Sequence, residues 1–472
     1  MGSQMRHISK ERIKSIAITG LLITSLIQVG ILWGYQSQGT PTNFLRGIFG
    51  WQNQAMTDDS AREKLFTPDR LIISNGERSH WLISRQNALF KLITDEAGVY
   101  LKDIAGGNLA RSKPSEDWGS ISSKQGFILE FKTAIGPDLL KWFTGLIPKV
   151  SGDAPVVLKM MIKPDSIDES LSEVYILGPN GEPGSYSVNS VERPQSMQEM
   201  LTVFEEGVDS YRNYYSMRDS KFDSEMPFEP DVLYIVKSPG IWPYYQLEAA
   251  VPARLTNDNE LADIMLGSEK DRYNKNVYEG FLQYTNTENM YKVYDNGYVS
   301  YKYLADASLS EKGGIGEALM KAYVFINRLD KLTNMKTDIY LSGVDYSHQG
   351  FYRFRFDYRF NDLPVFVALK TKGINGGLAE NAITIDVNSK RVLQCDWILR
   401  DFSQGSKQSY RDHFLEIMEY YGISYSEMKI KAITTGYYLN SADMHKMDPS
   451  LVIQEKDKAS VQTYIMPAGK GD

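Results

Sequence analysis

The chain has 472 residues, and 42% of them are hydrophobic, which is enough to build cores in about three domains and excludes a disordered or fibrous protein. Its formal net charge is −7, and beyond a basic tail the remaining 48 Lys and Arg against 58 Asp and Glu give −10. Nucleic acids and anionic lipid headgroups are therefore poor candidate partners.

The first element along the chain is a run from Ser15 to Leu45 that contains no charged residue. As a helix, the part from Ser15 to Trp33 would extend about 28 Å, close to the thickness of the hydrocarbon core of a bilayer. Basic residues precede it, so the positive-inside rule places the N-terminus in the cytoplasm and the rest of the chain outside. The sequence predicts a cytoplasmic tail, residues 1–14, and a single transmembrane helix, residues 15–35, in the cell membrane.

A cleaved signal peptide is the alternative interpretation of this run. Its apolar region would be shorter, and a site with small residues would follow it, whereas large or polar residues follow here. The only cysteine, Cys395, lies far downstream, so the chain has neither a lipoprotein anchor nor an intrachain disulfide. We therefore expect an uncleaved anchor and exported domains that are stabilised by packed cores.

The exported part divides by pattern into a linker and three domains. Short apolar runs with Gly-, Pro- and Asp-rich turns predict strands in the first domain, among them LIIS, HWLIS, ALFKLI and GFILEFKTAI. A capping box, Ser196 to Glu199, opens a helix at its end. The predicted boundaries are a linker at 36–60, domains at 61–220, 221–307 and 308–466, and a tail at 467–472.

Helices and hairpins are predicted in the second and third domains. Asn296-Gly297 suits a tight primed turn, and Asn361-Asp362 and Asn388-Ser389 mark two further hairpins. One short helix is expected near Asn257 to Leu266. Another is expected to start at Ser409 to Asp412 and to end at Gly422, and a third has an apolar face of Leu319, Ala322, Tyr323, Ile326 and Leu329. The fold class is α+β, with antiparallel sheets and packed helices.

Catalytic and metal-binding patterns are weak throughout the chain. His413-F-L-Glu416 lacks the second histidine of an inverted zinc motif, and Ser426-E-M-Lys429 lacks the companion motifs of penicillin-recognising enzymes. Phosphate-binding, dinucleotide-binding and EF-hand patterns are missing from the sequence. We expect no enzymatic activity, cofactor, metal or small-molecule substrate, although a pair of carboxylates acting on glycosides stays open.

The transmembrane segment carries the candidate binding residues. Ala17, Gly20, Thr24 and Gln28 recur at helical spacing and fall on one face, where small and polar residues favour close packing and hydrogen bonding between helices. Gly30 and Gly34 form a second pair of small residues on a different face. The stripe predicts a specific partner helix in the membrane, and a generic anchor that tolerates a few polar residues is the alternative.

The whole pattern resembles the YycH family of low-GC Gram-positive bacteria. The resemblance rests on the span ITSLIQVGILWGYQSQGTP, on the exported α+β region poor in Cys and His, and on segments such as LFTPDRLIIS and FRFDYRFNDLPVF. It implies a three-domain extracytoplasmic protein without enzymatic activity. It also implies that the chain regulates the essential sensor histidine kinase WalK, also called YycG, which controls cell-wall metabolism.

The resemblance further implies how the chain acts. In that family the membrane helix contacts the helices of the kinase, and the sister protein YycI belongs to the same complex. That role would map onto Ala17, Gly20, Thr24 and Gln28 here, by helix geometry rather than by a family motif. The family includes both inhibitors and activators, so the direction of regulation stays open.

Two alternatives from other classes remain at this point. The first is an anchored module that binds cell-wall polymers without catalysis, with Trp242, Tyr244 and Tyr245 forming an aromatic surface for sugars. The second is an anchored hydrolase that uses carboxylates or Ser426.

Overall fold

A computed structural model gives the fold of the exported part of the chain. It describes residues 58–76, 79–107, 109–146, 154–165, 171–189, 197–206, 213–216, 229, 232–235, 241–305, 312–333, 338–370, 378–424, 428–441, 445–455 and 461–468. The predicted tail, transmembrane helix and most of the linker lie outside these residues. Contacts group Asp58–Asp472 as one compact unit.

The described residues form eight α-helices and 25 β-strands, with several long runs of consecutive strands. The helices are α1 (Asp58–Leu65), α2 (Ala88–Ala105), α3 (Trp118–Ser122), α4 (Pro137–Phe143), α5 (Met197–Glu206), α6 (Asp258–Leu266), α7 (Ile315–Leu329) and α8 (Phe414–Tyr420). The strands up to residue 303 are β1 (Arg70–Asn75), β2 (His80–Leu82), β3 (Gln125–Ile135), β4 (Val157–Pro164), β5 (Leu171–Leu177), β6 (Pro183–Asn189), β7 (Asn213–Ser216), β8 (Leu233–Ile235), β9 (Ile241–Ala250), β10 (Asn274–Tyr278), β11 (Phe281–Thr285), β12 (Asn289–Tyr294) and β13 (Tyr298–Tyr303). The later strands are β14 (Asp338–Asp345), β15 (Tyr352–Phe360), β16 (Leu363–Val367), β17 (Leu369–Lys370), β18 (Leu378–Ala379), β19 (Ile383–Val387), β20 (Val392–Ile398), β21 (Asp401–Arg411), β22 (Ile430–Leu439), β23 (Lys446–Met447), β24 (Ser450–Glu455) and β25 (Val461–Ile465).

The strands assemble into two large sheets and two small ones. An eight-stranded antiparallel sheet has the order β6-β5-β4-β3-β1-β2-β7-β8. A twelve-stranded sheet has the order β10-β11-β12-β13-β20-β19-β15-β16-β22-β24-β25, with β14 paired to β15. Within it, β16 and β22 run parallel. The small sheets are β21-β9-β23 and β17-β18. The predicted α+β class with antiparallel sheets and packed helices is confirmed.

The domain boundaries stay predictions. Both large sheets extend across a predicted boundary. The first large sheet extends past residue 220 to β8. The second runs continuously across residue 308, because β13 pairs with β20, from Tyr298 opposite Ile398 to Lys302 opposite Gln394.

The helix predicted from a five-residue apolar face is confirmed as α7. Leu319, Ala322 and Leu329 are fully buried, and Ile326 and Tyr323 are 2% and 6% exposed. Gly316 on the same helix lies so close to α4 that a Cβ there would overlap the Trp142 ring. The small residue therefore sets the distance between the two helices.

Two predicted elements are corrected. ALFKLI is the start of helix α2, because Asn87 caps it by accepting from Leu89 N and because its buried positions continue at three-to-four spacing to Ile104. Ser409 to Asp412 does not start a helix: β21 continues to Arg411 through pairing with β9, and α8 begins at Phe414.

The hairpin at Asn296-Gly297 is present, but its turn differs from the expected type. Of these two residues only Gly297 has a positive φ, 81°, and its N–H bonds Tyr294 O at 2.9 Å. The loop therefore contains three residues, with glycine in the left-handed position. The hairpin at Asn361-Asp362 does have positive φ at both residues, 45° and 67°, as a type I′ turn requires.

Candidate functional site

The predicted helix-packing residues lie outside the described residues, so Ala17, Gly20, Thr24, Gln28, Gly30 and Gly34 stay predictions. Ser426 also lies outside them. None of the helices in the part of the chain that the structure describes is long and apolar enough to span a bilayer.

A cleft of about 690 Å³ lies in the described region. Its first wall is formed by the start of β1, the segment after β2 and Tyr214. Its second wall is formed by β9, the β15–β16 turn, Gln404 and Tyr437. The aromatic residues predicted as a sugar-binding surface, Trp242, Tyr244 and Tyr245, all line it. We call this cavity the aromatic cleft.

The three predicted aromatic residues have different roles within the cleft. Tyr244 is 9% exposed, and its hydroxyl donates to Asp412 Oδ2 at 2.7 Å, so it is largely a packing residue. Trp242 and Tyr245 are partly exposed. Tyr437 donates to the carbonyl of Tyr245 at 2.6 Å and fixes the strand, while Lys407 Nζ lies 5.6 Å from the Tyr245 ring centroid.

The β15–β16 turn closes one end of the cleft. Its Asp362 carboxylate accepts a hydrogen bond from Ser84 Oγ, on the segment that follows β2. Its Asn361 Nδ2 donates to Gln404 Oε1 at 3.4 Å. The turn therefore connects the segment after β2 with strand β21 of the small sheet.

A cluster of charged side chains around Arg359 adjoins the wall of the cleft. Arg359 is 3% exposed, lies 2.9 Å from Asp69 and 3.7 Å from Asp338, and stacks 4.0 Å from the Tyr340 ring centroid. Burial lowers the pKa of Arg85 to about 10, and the Arg359 charge adds to this, while the surrounding carboxylates oppose it.

A second ion cluster lies beside Arg70 at the cleft wall. Glu130 binds Arg70, whose Nε lies 2.6 Å from Glu130 Oε2, and Lys159 at 3.0 Å. Burial raises the pKa of Glu130, but the two cations outweigh it and lower the pKa to about 2. Glu130 is therefore ionised over the whole physiological range.

A smaller cavity of about 150 Å³ shares the Tyr214, Tyr244 and Asp362 walls of the cleft. It adds eight further lining residues, namely Leu233, Pro364, Asp412, Phe414, Ile433, Thr434, Thr435 and Leu451. The two cavities therefore share part of one wall.

A separate polar pocket of about 270 Å³ lies on the twelve-stranded sheet. Arg353 there binds Asp386 through two contacts, at 2.7 and 2.8 Å. Asp396 accepts hydrogen bonds from Tyr298 and from Ser300. Because these groups bind one another, the pocket is a weaker candidate than the aromatic cleft.

The structure places His413 at the start of a helix and Cys395 within strand β20. His413 is the N-cap residue of α8, and burial lowers its pKa. Cys395 is buried, which raises the pKa of its thiol well above the usual range. Across the described ranges, no three His, Cys, Asp or Glu side chains gather as a metal site would need.

Among solved structures, this chain is similar to the crystal structure of YycH from Bacillus subtilis. The TM-score is 0.55 and the identity 13%, over 86% of this chain and 96% of that chain. The chain has the YycH fold. The resemblance to YycH that the sequence indicated is confirmed at this level.

The other comparisons add no functional information beyond the YycH fold. An uncharacterized protein from Eubacterium rectale matches with a TM-score of 0.32 and 12% identity, over 53% of this chain and 89% of that chain. At this TM-score the match does not inform the fold or the function. No family model matches the sequence, and no curated protein matches it.

Sequence reasoning missed the first wall of the cleft. Ser84, Arg85 and Tyr214 carry no local motif, and only the folded chain brings them to the same cavity as the residues of β9. The one useful signal was the Asn361-Asp362 turn, which predicted a hairpin but not its contact with Ser84.

Proposed function

We propose that this chain is a membrane-anchored, non-enzymatic regulator of an essential two-component sensor histidine kinase of the WalK type. The observation that carries the proposal is the YycH fold, which extends over 96% of the YycH chain. The weakness of every catalytic motif in the sequence is consistent with a regulatory role.

The anchor and the location are part of the proposal. Residues 15–35 form a single membrane-spanning helix, residues 1–14 stay in the cytoplasm, and the domains with the YycH fold lie outside the cell membrane. The uncharged run and the basic residues before it support this orientation.

The regulator acts through helix contacts in the membrane together with contacts of its exported part, in a complex with a YycI-like sister protein. Gln28 supports the first contact, because a polar side chain in lipid is costly unless a neighbouring helix binds it. Thr24, Gly20 and Ala17 extend the same face.

Deleting the gene tests the proposal at the level of the cell. Transcripts of cell-wall hydrolases controlled by the kinase are expected to rise or fall, and the intact gene is expected to restore them. The sign of the change identifies an inhibitor or an activator, and unchanged transcripts would contradict the regulatory role.

A further inference from the structure

The aromatic cleft combines two kinds of accessible side chain. Tyr214, Trp242 and Tyr245 contribute partly exposed aromatic rings. Three exposed polar side chains, Gln86, Asn361 and Gln404, line the same cavity. The aromatic groups offer apolar surface, and amides both donate and accept hydrogen bonds, with Asn361 Nδ2 and Gln404 Oε1 already bonded to each other.

The charges of the cleft do not favour a strongly charged ligand. The ionisable groups that line it are two carboxylates, Asp69 and Asp362, and two guanidinium groups, Arg70 and Arg85. Asp69 binds Arg359, Arg70 binds Glu130, and Asp362 accepts from Ser84. Because the two carboxylates and the two guanidinium groups that line the cleft sum to zero charge, a polyanion or polycation gains little attraction while losing its hydration.

A sugar ring has the complementary chemistry. One face of a pyranose presents C–H groups that pack on an aromatic ring, and its rim presents hydroxyls that both donate and accept. The volume of about 690 Å³ lies within the usual range of ligand sites, and the cleft shares wall residues with the smaller cavity.

We propose that the aromatic cleft binds an uncharged oligosaccharide, with Tyr245 and Trp242 as the stacking surfaces and Gln86, Asn361 and Gln404 as hydroxyl-binding groups. This deepens the proposed function, since it gives the exported part of the regulator a ligand. Binding is measured directly, so its failure is distinguishable from a failure of kinase association.

The test is a titration of the full-length chain with N-acetylglucosamine oligomers of three to six units. The chain is held in a detergent without a sugar headgroup, because maltosides and glucosides would compete for the site. Isothermal calorimetry is expected to show saturable binding that strengthens with oligomer length until the cleft is filled.

Variants locate the binding site. Tyr245→Ala and Gln86→Ala are each expected to weaken binding about tenfold. Gln86 is exposed, so its replacement leaves the core intact. Tyr278→Ala is the matched control, because Tyr278 is also a surface tyrosine, 47% exposed, and lies outside the cleft.

The outcomes separate the possibilities. Saturable binding that both cleft variants weaken and the control retains supports the proposal. Absence of saturable binding, binding that the cleft variants leave unchanged, or saturation by an uncharged peptide but not by the sugars would overturn it.

Discussion

The hydroxyl of Ser84 donates a hydrogen bond to the carboxylate of Asp362, a residue 278 positions further along the chain. It joins the segment after β2 to the turn between β15 and β16, at the end of the aromatic cleft. Because both partners lie on connecting segments, the bond fixes the position of the turn more than it stabilises either sheet.

Replacing Ser84 with Ala is expected to lower the free energy of unfolding only slightly, by about 0.5–1.5 kcal/mol, as for an ordinary exposed hydrogen bond. Amide hydrogen exchange in the β15–β16 turn is expected to become faster, while exchange in β3 stays the same. Equal acceleration of exchange in the β15–β16 turn and in β3 would contradict a local role for the bond.

Replacing Asp362 with Val tests the type I′ turn itself. The φ of 67° places this residue in the left-handed region, where a β-branched side chain is strained, so we expect a loss of roughly 1–3 kcal/mol in urea unfolding. Asp362→Gly loses the same carboxylate without the strain and serves as the control. If the two variants were equally stable, the turn geometry would be wrong.

Replacing Arg359 is expected to destabilise the fold more than replacing Ser84 or Asp362. Arg359→Met removes the cation between Asp69 and Asp338, and breaking a buried pair by removing one partner costs about 3–5 kcal/mol, with the lower end expected because Asp69 is partly exposed. The double variant Arg359→Met with Asp69→Asn is expected to recover part of the lost free energy of unfolding, as measured by thermal unfolding. A double variant no more stable than the single one would contradict the coupling.

Glu130 predicts a pH dependence of stability. Its folded pKa of about 2 lies below its ordinary value of 4.5, so between these values the unfolded chain binds a proton that the folded chain does not. The stabilisation is complete above the ordinary value and is lost as the pH falls towards 2. Urea unfolding of wild type and Glu130→Gln should therefore differ most above pH 4.5 and converge below it, and a constant difference would contradict the assignment.

Two helical glycines form a matched pair. A Cβ at Gly316 in α7 would overlap the Trp142 ring, whereas a Cβ at Gly98 in α2 meets nothing within 4 Å. Gly316→Ala should therefore lower the melting temperature. Gly98→Ala should stabilise the chain by roughly 0.5–1 kcal/mol, because alanine restricts the unfolded chain and favours the helix. Stabilisation by both changes would show that α4 and α7 pack less closely than described.

The parts of the fold that were predictable have strong local signals. The apolar face of α7, from Leu319 to Leu329, repeats over about three turns. Asn361 and Asp362 are residue types that tolerate the positive φ of a tight hairpin turn. ALFKLI was misassigned because six apolar-rich residues fit a strand or a helix equally well, and only the continuation to Ile104 distinguishes them. The start of α8 was misassigned because a capping-like pattern, Ser409 to Asp412, lies in a strand whose pairing with β9 overrides local preference.

The aromatic cleft was predictable only in part. Trp242, Tyr244 and Tyr245 are adjacent in sequence and could be proposed together, but their burial depends on long-range partners such as Asp412 and Tyr437. Arg85 and Arg359 are ordinary arginines in the sequence. Their environment arises from carboxylates that the fold brings from three separate segments.

The central claim is a specific contact between the membrane helix of this chain and its kinase. The most direct test is copurification of the full-length chain from detergent, with the kinase measured by quantitative mass spectrometry. Thr24→Leu with Gln28→Leu changes the predicted contact face, and Leu22→Ala with Leu26→Ala changes the opposite face as a control. We expect wild type and the Leu22 and Leu26 control variant to retain the kinase. The Thr24 and Gln28 variant is expected to lose most of it. Equal retention by all three, or no kinase with the wild type, would contradict it.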